Sequence, residues 1–198
     1  KRVEVTYNVD LGNRIPIREI EYCLPEKGEF KEAFLRDTAQ MTVREGDWLS
    51  EASLDAETVR SSSVLRNQGF YSFNKNYYFF EADTLSYPGS AILQLTINEY
   101  TRNESPRDAK PIRKFYINDV AITYPKSLKF RDKVLRDLTT IYPGQVYSAD
   151  QINRTYSRLS ALKVFSSVNI GMTQTDTNLM DCSISLAQSK LQGFKVNL

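Results

Sequence analysis

The 198-residue sequence has no histidine. That removes the usual base beside a serine or cysteine nucleophile and the commonest metal ligand. It also lacks a glycine-rich phosphate loop. The two cysteines, Cys23 and Cys182, show no metal-ligand spacing. Each lies in an apolar strand pattern, so each is expected to be a small buried hydrophobe rather than half of a disulfide. Lys and Arg number 26 against 24 Asp and Glu, interspersed without runs of one sign, so no basic stripe marks a nucleic-acid surface. No apolar run approaches the ~18 residues of a membrane-spanning helix. Acid pairs exist, Glu19 with Glu21 and Asp47 with Glu51, but no pattern around them suggests a desolvated cleft. They read as solvated surface, and Ser61-Ser62-Ser63 reads as a polar helix face. No cofactor, no metal and no enzymatic activity are expected.

What the sequence does contain is an internal repeat. Ile17, Ile20, Tyr22 and Pro25 correspond to Ile117, Val120, Ile122 and Pro125, 100 residues on. At the same spacing Phe30, Phe34 and Met41 meet Phe130, Val134 and Ile141. Glu45-Gly46-Asp47 then matches Pro143-Gly144-Gln145, Gly69-Phe70-Tyr71 matches Lys163-Val164-Phe165, and Leu93, Leu95 and Ile97 match Cys182, Ile184 and Leu186. The spacing shrinks only between segments, as it does when length changes fall in loops.

Each repeat reads as strand, helix, helix, strand, strand. In the first strand the apolar spacing passes from three to two, which predicts a bulge or an entry kink. Pro25 and Pro125 precede the helices and cannot lie inside them. Phe130, Val134, Leu138 and Ile141 form one helical stripe, as do Ile152, Tyr156, Leu159 and Leu162 behind the Ser148-Ala149-Asp150-Gln151 capping pattern. The second helix of repeat one is weaker, with Leu54, Val59 and Leu65 as its apolar face, Ser53 or Asp55 as its cap and Gly69 as its stop. Gly46 and Gly144 suit turns that need unusual backbone angles. The closing strands alternate: Tyr71, Phe73, Tyr77 and Phe79, then Leu93, Leu95 and Ile97; in repeat two, Val168, Ile170 and Met172, then Cys182, Ile184 and Leu186. The expected organisation is a tail strand of a preceding module over 1–10, a module over 11–100, a turn-rich linker over 101–112, a second module over 113–190, and a lead-in over 191–198. Both ends fall within strand patterns, so the chain is expected to be part of a longer one.

Two motifs sharpen this pattern: Pro143-Gly144-Gln145-Val146-Tyr147-Ser148, and Leu159-Ser-Ala-Leu162-Lys-Val-Phe165-Ser-Ser-Val168, with Leu65-Arg-Asn-Gln-Gly69-Phe70-Tyr71 at the latter's place in repeat one. In their order and repetition they resemble the POTRA domain of the BamA/TamA-like bacterial surface antigens, with Lys163 standing where that family usually carries glycine. The resemblance covers nearly the whole chain. It implies an α+β fold of two tandem POTRA modules, each β-α-α-β-β with a three-stranded mixed sheet packed on two antiparallel helices. It further implies the periplasmic side of the outer membrane of a Gram-negative bacterium, in a soluble arm leading through 191–198 into the protein's own C-terminal membrane barrel.

By the same resemblance, the second strand of each unit is the accessible sheet edge. Such an edge presents unpaired N–H and C=O groups that an incoming strand can satisfy with little sequence selection. The expected protein-binding residues are Tyr71, Phe73, Lys75, Tyr77, Tyr78 and Phe80 in the first unit, and Val168, Ile170, Met172 and Thr173 in the second. The expected partners are unfolded outer-membrane protein precursors and accessory periplasmic proteins, with no nucleic acid, since an RNA-stacking platform wants interleaved Arg and Lys and only Lys75 is present. The alternative is a scaffold or secretion-transporter module with one dedicated protein partner. An enzyme acting through paired carboxylates would require a deep pocket where two of them converge.

Overall fold

A computed structural model describes residues 5–7, 13–26, 28–125 and 132–188. The first module runs β1 (Ile17–Cys23), α1 (Glu29–Asp37), α2 (Glu51–Asn67), β2 (Tyr78–Asp83) and β3 (Ala91–Ile97). The second runs β4 (Tyr116–Thr123), α3 (Asp132–Leu138), α4 (Ala149–Ala161), β5 (Phe165–Gln174) and β6 (Leu179–Gln188). The protein is thus mixed α+β with two three-stranded mixed sheets, ordered β1-β3-β2 and β4-β6-β5. The last strand of each module lies in the centre, parallel to the first and antiparallel to the second. Strict alternation explains why: Ala91, Leu93, Leu95 and Ile97 on β3, and Met180, Cys182, Ile184 and Leu186 on β6, are all buried, the pattern of a strand with one face on a core. Burial pushes the Cys182 thiol up to about 11.

The kink expected in the first strands is a register shift between Ile17 and Glu19 and, identically placed, between Ile117 and Asp119. It turns the inward row to Ile20 and Tyr22, which leaves Cys23 on the outer face, exposed rather than buried; neither cysteine is in a disulfide. Gly46 and Gly144 have φ of +90° and +82°, and their N–H groups donate to Ile17 O and Ile117 O, both at 2.7 Å. The connections between the helices are therefore tied to the first strands in the same way twice.

The repeat extends to side chains, with one shift of register. Thr42 N–H donates to Glu57 Oε2 at 2.9 Å, and Thr140 N–H donates to Thr155 Oγ1 at 2.9 Å. These pairs lie 98 residues apart (140 − 42 and 155 − 57), so the length change falls before the end of the first helix and not after Met41 and Ile141. Buried Val43 is the counterpart of buried Ile141. One consequence concerns the stripe expected on α3. Val134 is exposed and Leu135 points inward, while Phe130 lies outside the described residues. On α4, Tyr156 likewise faces out and Thr155 is buried.

Helix α2 departs furthest from its expected pattern. It starts at Glu51 behind Ser50, not behind Ser53 or Asp55, and Val59 is exposed while Glu57, Thr58, Ser61 and Ser62 are buried. The buried polar face holds an ion cluster. Arg60 donates bidentately to Asp37, at 2.9 Å from each Nη, and also to Glu57. Ser61 Oγ donates to Asp37 and Thr42 Oγ1 to Glu57. Burial alone would push the Glu57 carboxyl up, but hydrogen bonds from Arg60 and Thr42 outweigh it and hold it below the usual range.

Of the expected tail strand, Val5, Thr6 and Tyr7 are exposed and belong to no strand; the rest of 1–10 lies outside the described residues, as does the expected lead-in at 191–198. Lys163, in the place of Gly69, has φ of +55°, the one non-glycine positive value among the described residues. A side chain there costs about 1 kcal/mol. Lys163→Gly is expected to stabilise the protein by about that amount, read as a raised urea midpoint at unchanged slope; an unchanged or lowered midpoint would contradict it.

Candidate functional site

Among the described residues, β1 and β2 border one sheet and β4 and β5 the other, each paired on one side only. The first strands are partly sealed by the chain itself. Ile17 N–H donates to Asp47 O and Leu49 N–H to Ile15 O, both at 2.8 Å, and Ile117 and Tyr147 repeat these bonds to Gln145 O and Phe115 O at 2.8 and 2.9 Å. Among the described residues, the second strands are left as open borders.

Which groups they offer follows from the ladder. In antiparallel pairing, residues alternate between facing the partner strand and facing away. Asn98 N–H donates to Tyr77 O, so Phe79 and Glu81 face β3, and the backbones of Tyr78, Phe80 and Ala82 face outward. Thr175 N–H donates to Leu179 O at 3.0 Å, so Thr173, Gly171 and Asn169 face β6. The backbones of Val168, Ile170, Met172 and Gln174 then face outward. Their side chains, except that of Gln174, pack half-buried on the second core.

The first border is shorter than the sequence suggests. Strand β2 begins at Tyr78, and Tyr71, Phe73, Lys75 and Tyr77 precede it. Their alternation with Ser72, Asn74 and Asn76 comes from turns. Tyr71 N–H donates to Gly69 O and Phe73 N–H to Phe70 O, and the Asn74 side chain accepts from Asn76 N–H to cap a 3₁₀ turn over Lys75–Tyr77. Short polar side chains that bond the nearby backbone favour turns over strands. Phe73 and Tyr78 are fully buried in the core, and burial pushes the Tyr78 phenol up. Tyr77 is half-buried against the same core.

Of the expected residues, the structure brings Lys75 and Phe80 together, in a groove of about 540 Å³ between α2 and β2. Leu49, Leu54, Asp55 and Arg102 are among the residues that line it, and Lys75 pairs with Asp55 at 3.4 Å. Arg102 carries no signal in the sequence, because it belongs to the polar linker. Val168, Ile170 and Met172 form a separate row on the second module, with Thr173 exposed beside them.

Tyr71 serves neither border. Its ring packs edge-on against Tyr147 and Phe115, with centroids 5.0 and 6.1 Å apart, at the junction of the two modules. There Asn67 Oδ1 accepts from Asp150 N–H at 2.8 Å and from Ser148 Oγ at 3.2 Å, so a residue of the first module caps a helix of the second. Helix α2 has 17 residues against 13 in α4, and its additional turn is what brings Asn67 to this contact.

Among the described residues no group of three or more Cys, Asp or Glu is placed to hold a metal, and no helix is long and apolar enough to cross a membrane.

Residues 115–185 match the POTRA family, described as a surface antigen variable number repeat. No curated protein matches the chain. Among solved structures, BamA from Haemophilus ducreyi lacking POTRA domains 1–3 is similar over 88% of this chain and 29% of its own, at 12% identity and a TM-score of 0.63. The POTRA3–5 fragment of Haemophilus influenzae BamA is similar over 88% of this chain and 61% of its own, at 13% identity and a TM-score of 0.54. The chain therefore spans less than a third of the first and about three fifths of the second, and the likeness is one of fold. Family match, element order and repeated loop chemistry agree on the second module: residues 115–185 are a POTRA domain.

Proposed function

We propose that the chain is a two-module periplasmic arm of an outer-membrane protein assembly or insertion factor, and that it binds unfolded barrel precursors by strand addition. In this reading residues 11–100 are a second, diverged POTRA module joined through 101–112 to the module over 113–190. The role is binding, not catalysis. The observation that carries it is the border of β5, where the backbones of Val168, Ile170, Met172 and Gln174 face outward in one ten-residue strand. Backbone hydrogen bonds give such a border affinity for many sequences at once, which suits a protein handling diverse precursors. Accessory periplasmic proteins are further partners of the same border.

Proline distinguishes the outward groups from the inward ones, because it removes one N–H. At Ile170 it removes a group that faces away from β6. Ile170→Pro is expected to leave the fold intact by circular dichroism and to weaken binding of a ten-residue peptide of alternating apolar and polar residues by roughly tenfold, one backbone bond plus the clash of the ring. Thr173→Pro removes a bond to β6 itself and is expected to lower stability. Unaltered peptide binding by the Ile170→Pro protein would end the strand-addition reading at β5.

A further inference from the structure

The border of β2 carries a feature that β5 lacks among the described residues. Arg102 Nε donates to Tyr78 O at 2.9 Å. Tyr78 O is the first outward carbonyl of β2, the group an added strand would bond first. The geometry points to Arg102 as a built-in plug that occupies the β2 border and directs an incoming strand to β5. This rests on the strand-addition reading and assigns the two borders different availability.

The plug is held in place from several sides. Arg102 N–H donates to Asn76 O at 3.0 Å, so the linker is strapped across the 3₁₀ turn ahead of β2. Thr101 donates twice to Glu104, at 2.8 and 2.9 Å, which closes the linker turn beyond it. Tyr100 packs edge-on against Phe79 with centroids 5.8 Å apart. The Arg102 side chain then runs into the groove that Leu49, Leu54 and Phe80 line, along the side from which an added strand would approach. With Tyr78 O taken, only Phe80 and Ala82 remain outward in a strand of six residues. Strand β5 offers four outward residues, and the backbones of Val168, Ile170, Met172 and Gln174 carry no comparable side-chain bond among the described residues. A guanidinium on a carbonyl is a charge-assisted bond, stronger than the neutral amide bond that would replace it. The occupant excluded is therefore any extended backbone, whatever its side chains.

Residue-resolved amide hydrogen exchange tests this with the whole chain and the alternating ten-residue peptide. In the unaltered protein, peptide just sufficient to fill β5 is expected to slow exchange at Ile170 and Met172 and to leave Phe80 and Ala82 unchanged, at one peptide per chain. In Arg102→Ala, Phe80 and Ala82 are expected to become protected as well. The stoichiometry is then expected to rise to two, and affinity at β2 to gain about tenfold, the factor of one such bond. Arg102→Lys keeps the charge and the stem but not the planar Nε–H, and is expected to behave like the alanine variant, which separates the bond from the charge. Equal protection of both strands in the unaltered protein, or an Arg102→Ala protein still limited to β5, overturns the plug while strand addition stands. Protection of neither strand in any of these proteins overturns both.

Discussion

Arg60→Ala is expected to destabilise the first module by about 2–4 kcal/mol. Removing one partner of a buried ion pair typically costs 3–5 kcal/mol, since it strands the other charge; the side chain of Arg60 is 25% exposed, and solvent screening lowers that figure. Two carboxylates are stranded here, Asp37 and Glu57, each with its side chain only 3% exposed. The pH dependence gives a sharper test. In the unaltered protein the folded Glu57 carboxyl titrates below its ordinary range, so its contribution is complete above that range and is lost as pH falls through the depressed value. Without Arg60, burial becomes the dominant influence on Glu57 and raises its folded pKa above the unfolded one. The variant is then penalised most at neutral pH and regains stability on acidification through the carboxylate range. The stability gap between the two proteins, from urea unfolding at a series of pH values, is expected to narrow as pH falls from 7 toward about 4. A gap of constant size would show that Arg60 acts through packing of its stem and not through charge.

The second module shows how little of that cluster the fold requires. At the equivalent positions, 98 residues on, Asp37 becomes Leu135, Glu57 becomes Thr155 and Ser61 becomes Leu159. The same backbone N–H is bonded in both modules, by a carboxylate in one and a hydroxyl in the other. This explains the uneven legibility of the sequence. Where the inward face is apolar, as on β3 and β6, alternation points to it directly; on α4 helical spacing found Leu159 but put Tyr156 where Thr155 lies. On α2 the expected Leu65 is buried and Leu54 packs on the core, but the rest of the inward face is Glu57, Thr58, Ser61 and Ser62, which composition assigns to solvent, and the stray Val59 supplied a false apolar mark. The region 71–77 failed for a different reason: aromatic residues two apart imitate a strand, although turns built by Asn74 and Gly69 place them. The repeat itself, the glycine turns at 46 and 144 and the bulges at Ile17 and Ile117 were legible because the backbone imposes them. The open borders were legible only as whole strands. Which N–H faces outward depends on hydrogen-bond phase, which no side-chain pattern encodes, and the partial closure of β2 depends on a linker arginine with no periodicity at all.

The junction between the modules yields the other large effect, at Gly69. Its φ is +109°, a conformation that costs a side-chain-bearing residue of order 1–3 kcal/mol. A methyl group there would also lie 2.6 Å from Lys114 Cγ and 2.7 Å from Val146 Cγ1, closer than carbon atoms can approach. Lys114 can swing aside; the β-branched Val146 is stiff at χ1 and gives way less easily. Gly69 O meanwhile accepts from Phe115 N–H at 2.9 Å, so any retreat of the backbone breaks a bond between the modules. Gly69→Ala is therefore expected to cost about 2–4 kcal/mol, from backbone strain plus crowding. It is also expected to loosen the contact of Tyr71 with Tyr147 and the capping of α4 by Asn67. Small-angle scattering would record the second effect as a larger radius of gyration, and denaturation the first. The two causes separate in a double-mutant cycle. Val146→Ala removes the Cγ1 atom in the way, so Gly69→Ala in that background should recover the crowding part and keep the φ part. It should also return to the compact scattering profile. If the double variant stays as expanded as Gly69→Ala alone, the junction is held open by backbone geometry at residue 69, and the close approach of Val146 does not set the angle between the modules.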